Sequence, residues 1–219
     1  MKSIPWRVWV GNNIIKRFRR IGMFGLLRFK ITRLGYKLFW KCSPRNGEWD
    51  FALQWLSTLE KHWQISPTVL DVGTTDSLLI YELLNRGYDV LGIDQRAYQE
   101  NNPHTKVIDI INIDRNELER SIGKFDYILA VSTIEHIGLS AYGEFYLSEN
   151  GDKMAMEQLH YILKDNGYFL ITVPNKHFGT DTGRGYSYQD FEKLIDGFFR
   201  IVHYEERSNQ VCAVLVKLA

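Results

Sequence analysis

Apolar and polar positions follow different patterns in the two parts of the chain. Before Pro67, apolar residues recur every three or four positions, which is the period of a helix. After it, short apolar runs alternate with amphipathic segments. The apolar runs predict strands at Thr68–Val72, Tyr88–Ile93, Lys106–Ile111, Tyr127–Val131, Tyr168–Val173, Phe199–Tyr204 and Val211–Leu218. The amphipathic segments predict helices at Trp49–Trp63, Ser77–Asn85, Lys153–Leu163 and Tyr188–Ile195. Alternating strands and helices indicate parallel βαβ units, with ligands at the carboxyl ends of the strands.

The first part of the chain combines an apolar stripe with a large positive charge. The stripe consists of Ile14, Phe18, Ile21, Phe24, Leu27, Ile31, Leu34 and Leu38. Residues 1–47 contain 12 of the 27 Lys and Arg residues and none of the 26 Asp and Glu residues. The rest of the chain therefore has 15 basic residues against 26 acidic ones, although the net charge is only +1. We divide the chain into a basic amphipathic helical arm (1–47) and an acidic α/β domain (48–219).

Three partners are compatible with the basic arm. Aromatic residues between the basic ones, such as Trp6, Trp9 and Trp40, are typical of a helix at a membrane interface. An anionic membrane surface could therefore bind residues 1–41. Nucleic-acid phosphates are a less expected partner because the arm has a clear apolar stripe, and docking on the acidic domain is the third alternative. No apolar run reaches the roughly 18 residues of a transmembrane helix, and we see no signal peptide. We expect a cytoplasmic protein, peripheral on the inner face of the plasma membrane if the arm binds lipid.

The first two predicted strands end in residues that suit a nucleoside. The first contains Asp71 and leads to Gly73, which lacks a Cβ and so lets a ligand approach the backbone. The second leads to Asp94, an acid that can accept both ribose hydroxyls. Asp76 stands where the pyrophosphate of a dinucleotide would lie, and like charges repel. These features favour a nucleoside without phosphate, and the cationic S-adenosylmethionine (SAM) meets that requirement.

The order of these motifs resembles the class I SAM-dependent methyltransferases of the type 11-like kind, across residues 68–219. The similar segments are Leu70–Gly73, Gly92–Asp94, Val107–Ile110, Phe125–His136 and Leu159–Pro174. The resemblance implies a Rossmann-like α/β fold with a seven-stranded, mostly parallel sheet and helices on both faces, here preceded by a basic helical extension. It also implies SAM as cofactor. The cofactor-binding residues it implies are Asp71, Gly73, Thr74, Thr75, Asp94, Gln95, Asp109, Ile110 and Ser132.

A general base for a hydroxyl acceptor is expected just beyond the fourth strand. His136 is the first candidate, with Glu135 to orient it, and His177 after the fifth strand is the second; alternatively, His136 only packs against the cofactor. Residues 138–152 are predicted to form a loop that covers the acceptor. No metal is expected, because Ser132 stands where some similar methyltransferases have the first carboxylate of a Glu-x-x-Glu-His set.

The segment Ser132–Leu139, followed by Tyr142-Gly143, is similar to bacterial methyltransferases that accompany glycan biosynthesis. We therefore expect O-methylation of a sugar in a lipid-linked or surface polysaccharide, at the cytoplasmic face of the membrane. A methyltransferase for a small natural product or lipid is one alternative. A non-catalytic methyltransferase-like binding module is another, because Thr75 and Ser77 replace two glycines of the family's G-x-G-x-G turn.

Overall fold

A seven-stranded mixed sheet lies at the centre of the protein. The structure is a computed structural model, and it describes residues 46–59, 67–96, 103–140, 147–178 and 182–218. Its strands are β1 (Thr68–Val72), β2 (Asp89–Asp94), β3 (Thr105–Val107), β4 (Phe125–Val131), β5 (Leu163–Pro174), β6 (Phe199–Arg207) and β7 (Gln210–Lys217). Their order is β3-β2-β1-β4-β5-β7-β6; β7 runs antiparallel to both of its neighbours, β5 and β6, and the other neighbouring pairs are parallel. The order reverses between β1 and β4, so a crevice opens at their carboxyl ends.

Helices cover both faces of the sheet. They are α1 (Asn46–Leu59), α2 (Leu79–Arg86), α3 (Arg115–Ile122), α4 (Gly151–Ile162) and α5 (Tyr188–Ile195). The buried residues of α1 and α2 pack with Val69, Tyr127 and Cys212 on one face. Those of α3, α4 and α5 pack with side chains of the other face, among them Ile128. The predicted α/β class and the mostly parallel sheet are therefore confirmed.

The local sequence explains why these elements begin and end where they do. All seven residues of β4 are buried, which matches its unbroken apolar run between two neighbouring strands. The carboxylate of Asp114 accepts the backbone N–H groups of Asn116 and Glu117 and so caps α3. Ser187 and Asp190 form a capping box at the start of α5.

One predicted element is wrong, and one helix was not predicted. The third strand, predicted at Lys106–Ile111, is only Thr105–Val107, because the N–H of Ile108 donates to the carbonyl of Asp94 and the chain then turns. Ile110 and Ile111 are still buried, but they enter the core from a turn rather than from a strand. Helix α3 was not predicted, because Leu118 is its only buried residue and it shows no apolar stripe.

The arm lies outside the described residues except where α1 begins, as do the last residues of the helix predicted to reach Trp63. In the described part of the chain, no helix is long and apolar enough to cross a membrane.

Asp126 connects the amino ends of β1 and β4 to the start of β5. Its Oδ2 accepts hydrogen bonds from the N–H and the hydroxyl of Thr68, both at 2.8 Å, and from Nζ of Lys164 at 3.0 Å. Burial raises the pKa of Asp126, but these bonds and the Lys164 charge outweigh it and hold the pKa below its ordinary value of 3.8. The resulting stabilisation is complete above the unfolded-state pKa and is lost as pH falls through the lower folded-state pKa.

We expect Asp126→Asn to lower the free energy of unfolding by about 1–3 kcal/mol at pH 7, because the charge-assisted hydrogen bonds are lost. Urea unfolding at pH 7 and at pH 3 measures the effect, which should be smaller at pH 3. Asp165→Asn is the control, because the side chain of Asp165 is 92% exposed. If Asp126→Asn lowered the free energy of unfolding equally at both pH values, the charge of Asp126 would not be the source of the stabilisation.

Candidate active site

The turns that follow β1 and β4 contact each other directly at the crevice. Gly73 has a φ of 80°, a left-handed conformation that favours glycine. A Cβ on Gly73 would lie only 2.3 Å from Oγ1 of Thr133. The hydroxyl of Thr133 in turn donates to the carbonyl of Val72, at 3.0 Å. These two turns therefore form one continuous surface on which a ligand can lie.

Asp94 is held rigidly at the end of β2. Its Oδ2 accepts the N–H of Thr75 at 3.0 Å, and its Oδ1 accepts the N–H of Arg96 at 2.9 Å. The guanidinium of Arg96 also pairs with Oδ1, at 3.3 Å. Nη2 of Arg96 lies 3.5 Å from Oδ2, so each carboxylate oxygen already accepts two hydrogen bonds, and ribose hydroxyls would take the place of the Arg96 guanidinium. The structure therefore places Asp94 at the carboxyl end of β2, in contact with the turn that follows β1.

The other predicted cofactor-binding residues near Asp94 differ in how accessible their side chains are. The side chain of Thr74 is fully buried against Gly92, so it is not accessible to a ligand. The bond from Ile108 to Asp94 holds the next two residues, Asp109 and Ile110, near the carboxyl end of β2. Ile110 is buried and Asp109 is half-buried, and the half-buried Gln95 directly follows Asp94.

Glu48 is a buried acid that sequence reasoning missed. It lies in α1 and is 7% exposed, and its Oε2 accepts the hydroxyls of Ser132 and Thr172, each at 2.5 Å. The hydroxyl of Ser132 is therefore already committed to Glu48. Burial raises the pKa of the Cys212 thiol to about 12, and the negative charge of Glu48 contributes to that rise. The sequence signal that could have identified Glu48 is its position next to Trp49, on the apolar side of a predicted helix.

His136 lies in the turn after β4 in a fixed orientation. Its Nδ1 is 2.6 Å from the carbonyl oxygen of Thr182, and its Nε2 is 3.7 Å from Oε1 of Glu135. The structure thus places His136 beside the buried Glu135. His177 instead lies exposed on the short turn Lys176–Phe178, where its N–H donates to Asn175.

Arg184, also missed by sequence reasoning, connects the loop after β5 to the turn after β4. Its guanidinium donates to four backbone carbonyls, those of Glu135, Ile137, Ser148 and Glu149. It also pairs with Asp152, which accepts the hydroxyl of Tyr186 at 2.8 Å. Burial and the Asp152 charge raise the pKa of Tyr186. Arg184 lies between two glycines in the sequence, and nothing in that local pattern predicts contacts with residues so distant along the chain.

The predicted acceptor loop lies partly outside the described residues. Ser148 and Asp152 lie within the Arg184 network, but Tyr142 and Tyr146 fall outside the described residues. In the part that the structure describes, no group of three His, Cys, Asp or Glu residues could hold a metal ion.

The charge of the crevice fits SAM. Asp71, Asp94, Glu48 and Glu135 are all at least nine-tenths buried, and each belongs to a strand end, turn or helix at this edge. Buried negative charge repels a phosphate and attracts a cation. Asp94 would hold the ribose, and the backbone at Gly73 permits close approach. The fold and the site together define a SAM-binding methyltransferase.

Comparison with known proteins identifies the family. The methyltransferase-domain family matches residues 37–212, and the chain belongs to it. No curated protein matches the sequence. The chain is therefore a SAM-dependent methyltransferase, and SAM is its cofactor.

Solved structures agree with this fold. A SAM-dependent methyltransferase from Clostridium acetobutylicum has a TM-score of 0.58 at 15% identity, covering 87% of this chain and 99% of its own. The 1,6-didemethyltoxoflavin-N1-methyltransferase of Burkholderia thailandensis has a TM-score of 0.57 at 15% identity, covering 74% and 76%. The N-methyltransferase NodS of Bradyrhizobium japonicum has a TM-score of 0.56 at 12% identity, covering 80% and 88%. At these identities the likeness shows the fold alone.

We expect Gly73→Ala to weaken SAM binding at least tenfold, roughly 1.4 kcal/mol, because its Cβ would displace Thr133 and the turn would be strained. Gly87→Ala is a matched control. Gly87 has a φ of 89° but nothing within 4 Å of an added Cβ, so it incurs the backbone strain alone. Calorimetric titration of SAM into both variants measures the difference. Equal affinities for the two variants would mean that contact with Thr133 does not shape the donor site.

Proposed function

We propose that the protein O-methylates a sugar of a lipid-linked or surface polysaccharide at the cytoplasmic face of the membrane. SAM supplies a methyl group that its sulfonium already activates. The residues of the protein then have two tasks, which are to hold the acceptor in line and to take up its proton.

The observation that supports a hydroxyl acceptor is the orientation of His136. A backbone carbonyl only accepts hydrogen bonds, so Nδ1, 2.6 Å from the oxygen of Thr182, carries the proton. In the neutral imidazole, Nε2 is then the unprotonated nitrogen, which is the one that can take up a proton as a general base. Glu135, 3.7 Å from Nε2, would stabilise the imidazolium that forms when the proton is taken up. His177 is the second candidate base.

The observation that supports a membrane-bound acceptor is the charge of the chain. Residues 1–47 contain basic residues and no acidic ones, whereas the rest of the chain has more acidic than basic residues. An anionic leaflet attracts such a segment with about 1 kcal/mol for each Lys or Arg near its surface. The acidic remainder argues against a nucleic acid as acceptor.

A methyltransferase for a small molecule or lipid is the second candidate. The buried Glu135 favours it, because a buried carboxylate can bind the protonated amine of an acceptor before that amine loses its proton and attacks. An amine nucleophile needs less help from a base than a hydroxyl does. The two candidates therefore differ in how strongly turnover should depend on His136.

We expect His136→Asn to lower kcat for a sugar hydroxyl by about 10²- to 10⁴-fold, while SAM affinity stays within about twofold. Release of S-adenosylhomocysteine measures the rate with monosaccharides, nucleotide sugars, lipid-linked oligosaccharides and heteroaromatic amines. His203→Asn, in the edge strand β6, is the control.

The outcomes separate the candidates. The acidic limb of the kcat–pH profile should disappear in His136→Asn, because that limb reports protonation of the base. Its disappearance in His177→Asn instead would assign the base to His177. Turnover of amines alone, undiminished in His136→Asn, would replace sugar O-methylation with the second candidate.

The membrane proposal predicts that the full chain binds vesicles of phosphatidylcholine mixed with phosphatidylglycerol but not phosphatidylcholine alone. Replacing Arg17, Arg19 and Arg20 by Gln should weaken cosedimentation by about 100-fold, and added salt should also weaken it. The control replaces Arg120, Lys193 and Arg200, three exposed basic residues of the α/β domain, by Gln. Equal losses in both triple variants would argue against a specific role of the arm.

A further inference from the structure

Glu48 carries a buried negative charge that no described cation compensates. Its two partners, the hydroxyls of Ser132 and Thr172, are neutral and share the single oxygen Oε2. Among the described residues, the ion pairs involve other acids. Burial of a carboxylate is costly unless a cation or sufficient hydrogen bonds compensate it. This position therefore suits a cationic group that binds from outside the described structure.

The position of Glu48 relates it to the donor rather than to a remote surface. Glu48 holds Ser132, and the next residue, Thr133, contacts Gly73. The carboxylate thus lies at the carboxyl ends of β4 and β5, whereas Asp94 lies at the end of β2. Strands are about 4.8 Å apart, so β4 is about 10 Å from β2 across β1. A nucleoside with its ribose at Asp94 would extend its amino-acid side arm toward β4.

SAM has two cationic groups, and their chemistry differs. The ammonium has three N–H donors, whereas the sulfonium has none, so only the ammonium can donate to a carboxylate oxygen. The sulfonium also loses its charge as the methyl group leaves. A carboxylate directed at it would stabilise the reactants more than the transition state.

We propose that Glu48 belongs to the donor site and that its Oε1 accepts a hydrogen bond from the α-ammonium of SAM. Oε2 remains bonded to Ser132 and Thr172, which fixes the direction of the carboxylate. The inference concerns the donor alone, so it does not depend on whether the acceptor is a sugar.

Calorimetric titration of two ligands into the full-length protein tests this assignment. S-adenosylhomocysteine keeps the amino-acid side arm, and 5′-methylthioadenosine lacks it. Glu48→Gln preserves the shape of the side chain and an oxygen for the two hydroxyls, but removes the charge. This substitution should lower the affinity for S-adenosylhomocysteine by about tenfold or more and leave the affinity for 5′-methylthioadenosine within about twofold.

Two further variants calibrate the result. Asp94→Ala should weaken the binding of both ligands, because both contain the ribose. Asp50 is an exposed acid of α1, the helix that also contains Glu48, so Asp50→Asn should leave the binding of both ligands unchanged.

Three outcomes would overturn the proposal. Equal weakening of both ligands by Glu48→Gln would mean that Glu48 only maintains the shape of the site. No weakening of either would mean that another cation, such as a basic residue of the arm or the acceptor, meets Glu48. If the unaltered protein did not bind S-adenosylhomocysteine, the chain would have no donor site for Glu48 to belong to. The unaltered protein is therefore titrated beside the variants.

Discussion

Negative charge buried along one edge of the sheet is the constraint on which the rest of this site depends. Asp71, Asp94, Glu48 and Glu135 are each at least nine-tenths buried near the carboxyl ends of the parallel strands. A fold tolerates such charges only when hydrogen bonds or a cation compensate them. The N–H groups of Thr75 and Arg96 and the Arg96 guanidinium do this for Asp94, and two hydroxyls do it in part for Glu48. The same charge makes a cationic donor favourable and a phosphorylated one unfavourable.

The turn after β4 is held from both faces of the sheet. Ser132 has a φ of 47°, which is unfavourable for a residue with a Cβ, and its N–H and hydroxyl bind Thr172 and Glu48. From the other side, the Arg184 guanidinium binds the carbonyls of Glu135 and Ile137. The orientation of His136 therefore depends on two independent anchors. One of them, α1, directly follows the basic arm in the sequence.

The sequence predicted the features that rest on local pattern, and it missed those that rest on distant contacts. The unbroken apolar run of β4 predicted a buried strand, and the glycine after β1 predicted a tight turn, both of which the structure has. Helix α3 was missed because one buried leucine leaves no stripe to detect. Glu48 acquires its role only from partners 84 and 124 residues away. No local pattern reports such a separation.

The packing of the turn after β1 explains why this turn can lack two glycines of the family pattern. A threonine at position 74 needs space for its side chain, and that space comes from Gly92 on the neighbouring strand. A Cβ on Gly92 would lie 2.7 Å from Cγ2 of Thr74. With Thr74 packed there, Thr75 keeps its N–H directed at Asp94, at 3.0 Å. Gly73, where φ is positive and a Cβ would meet Thr133, is the glycine of this turn that cannot be replaced without strain. Thr75 and Ser77 replace glycines at positions where the described backbone has no positive φ, so the loss of these glycines is compatible with an intact donor site.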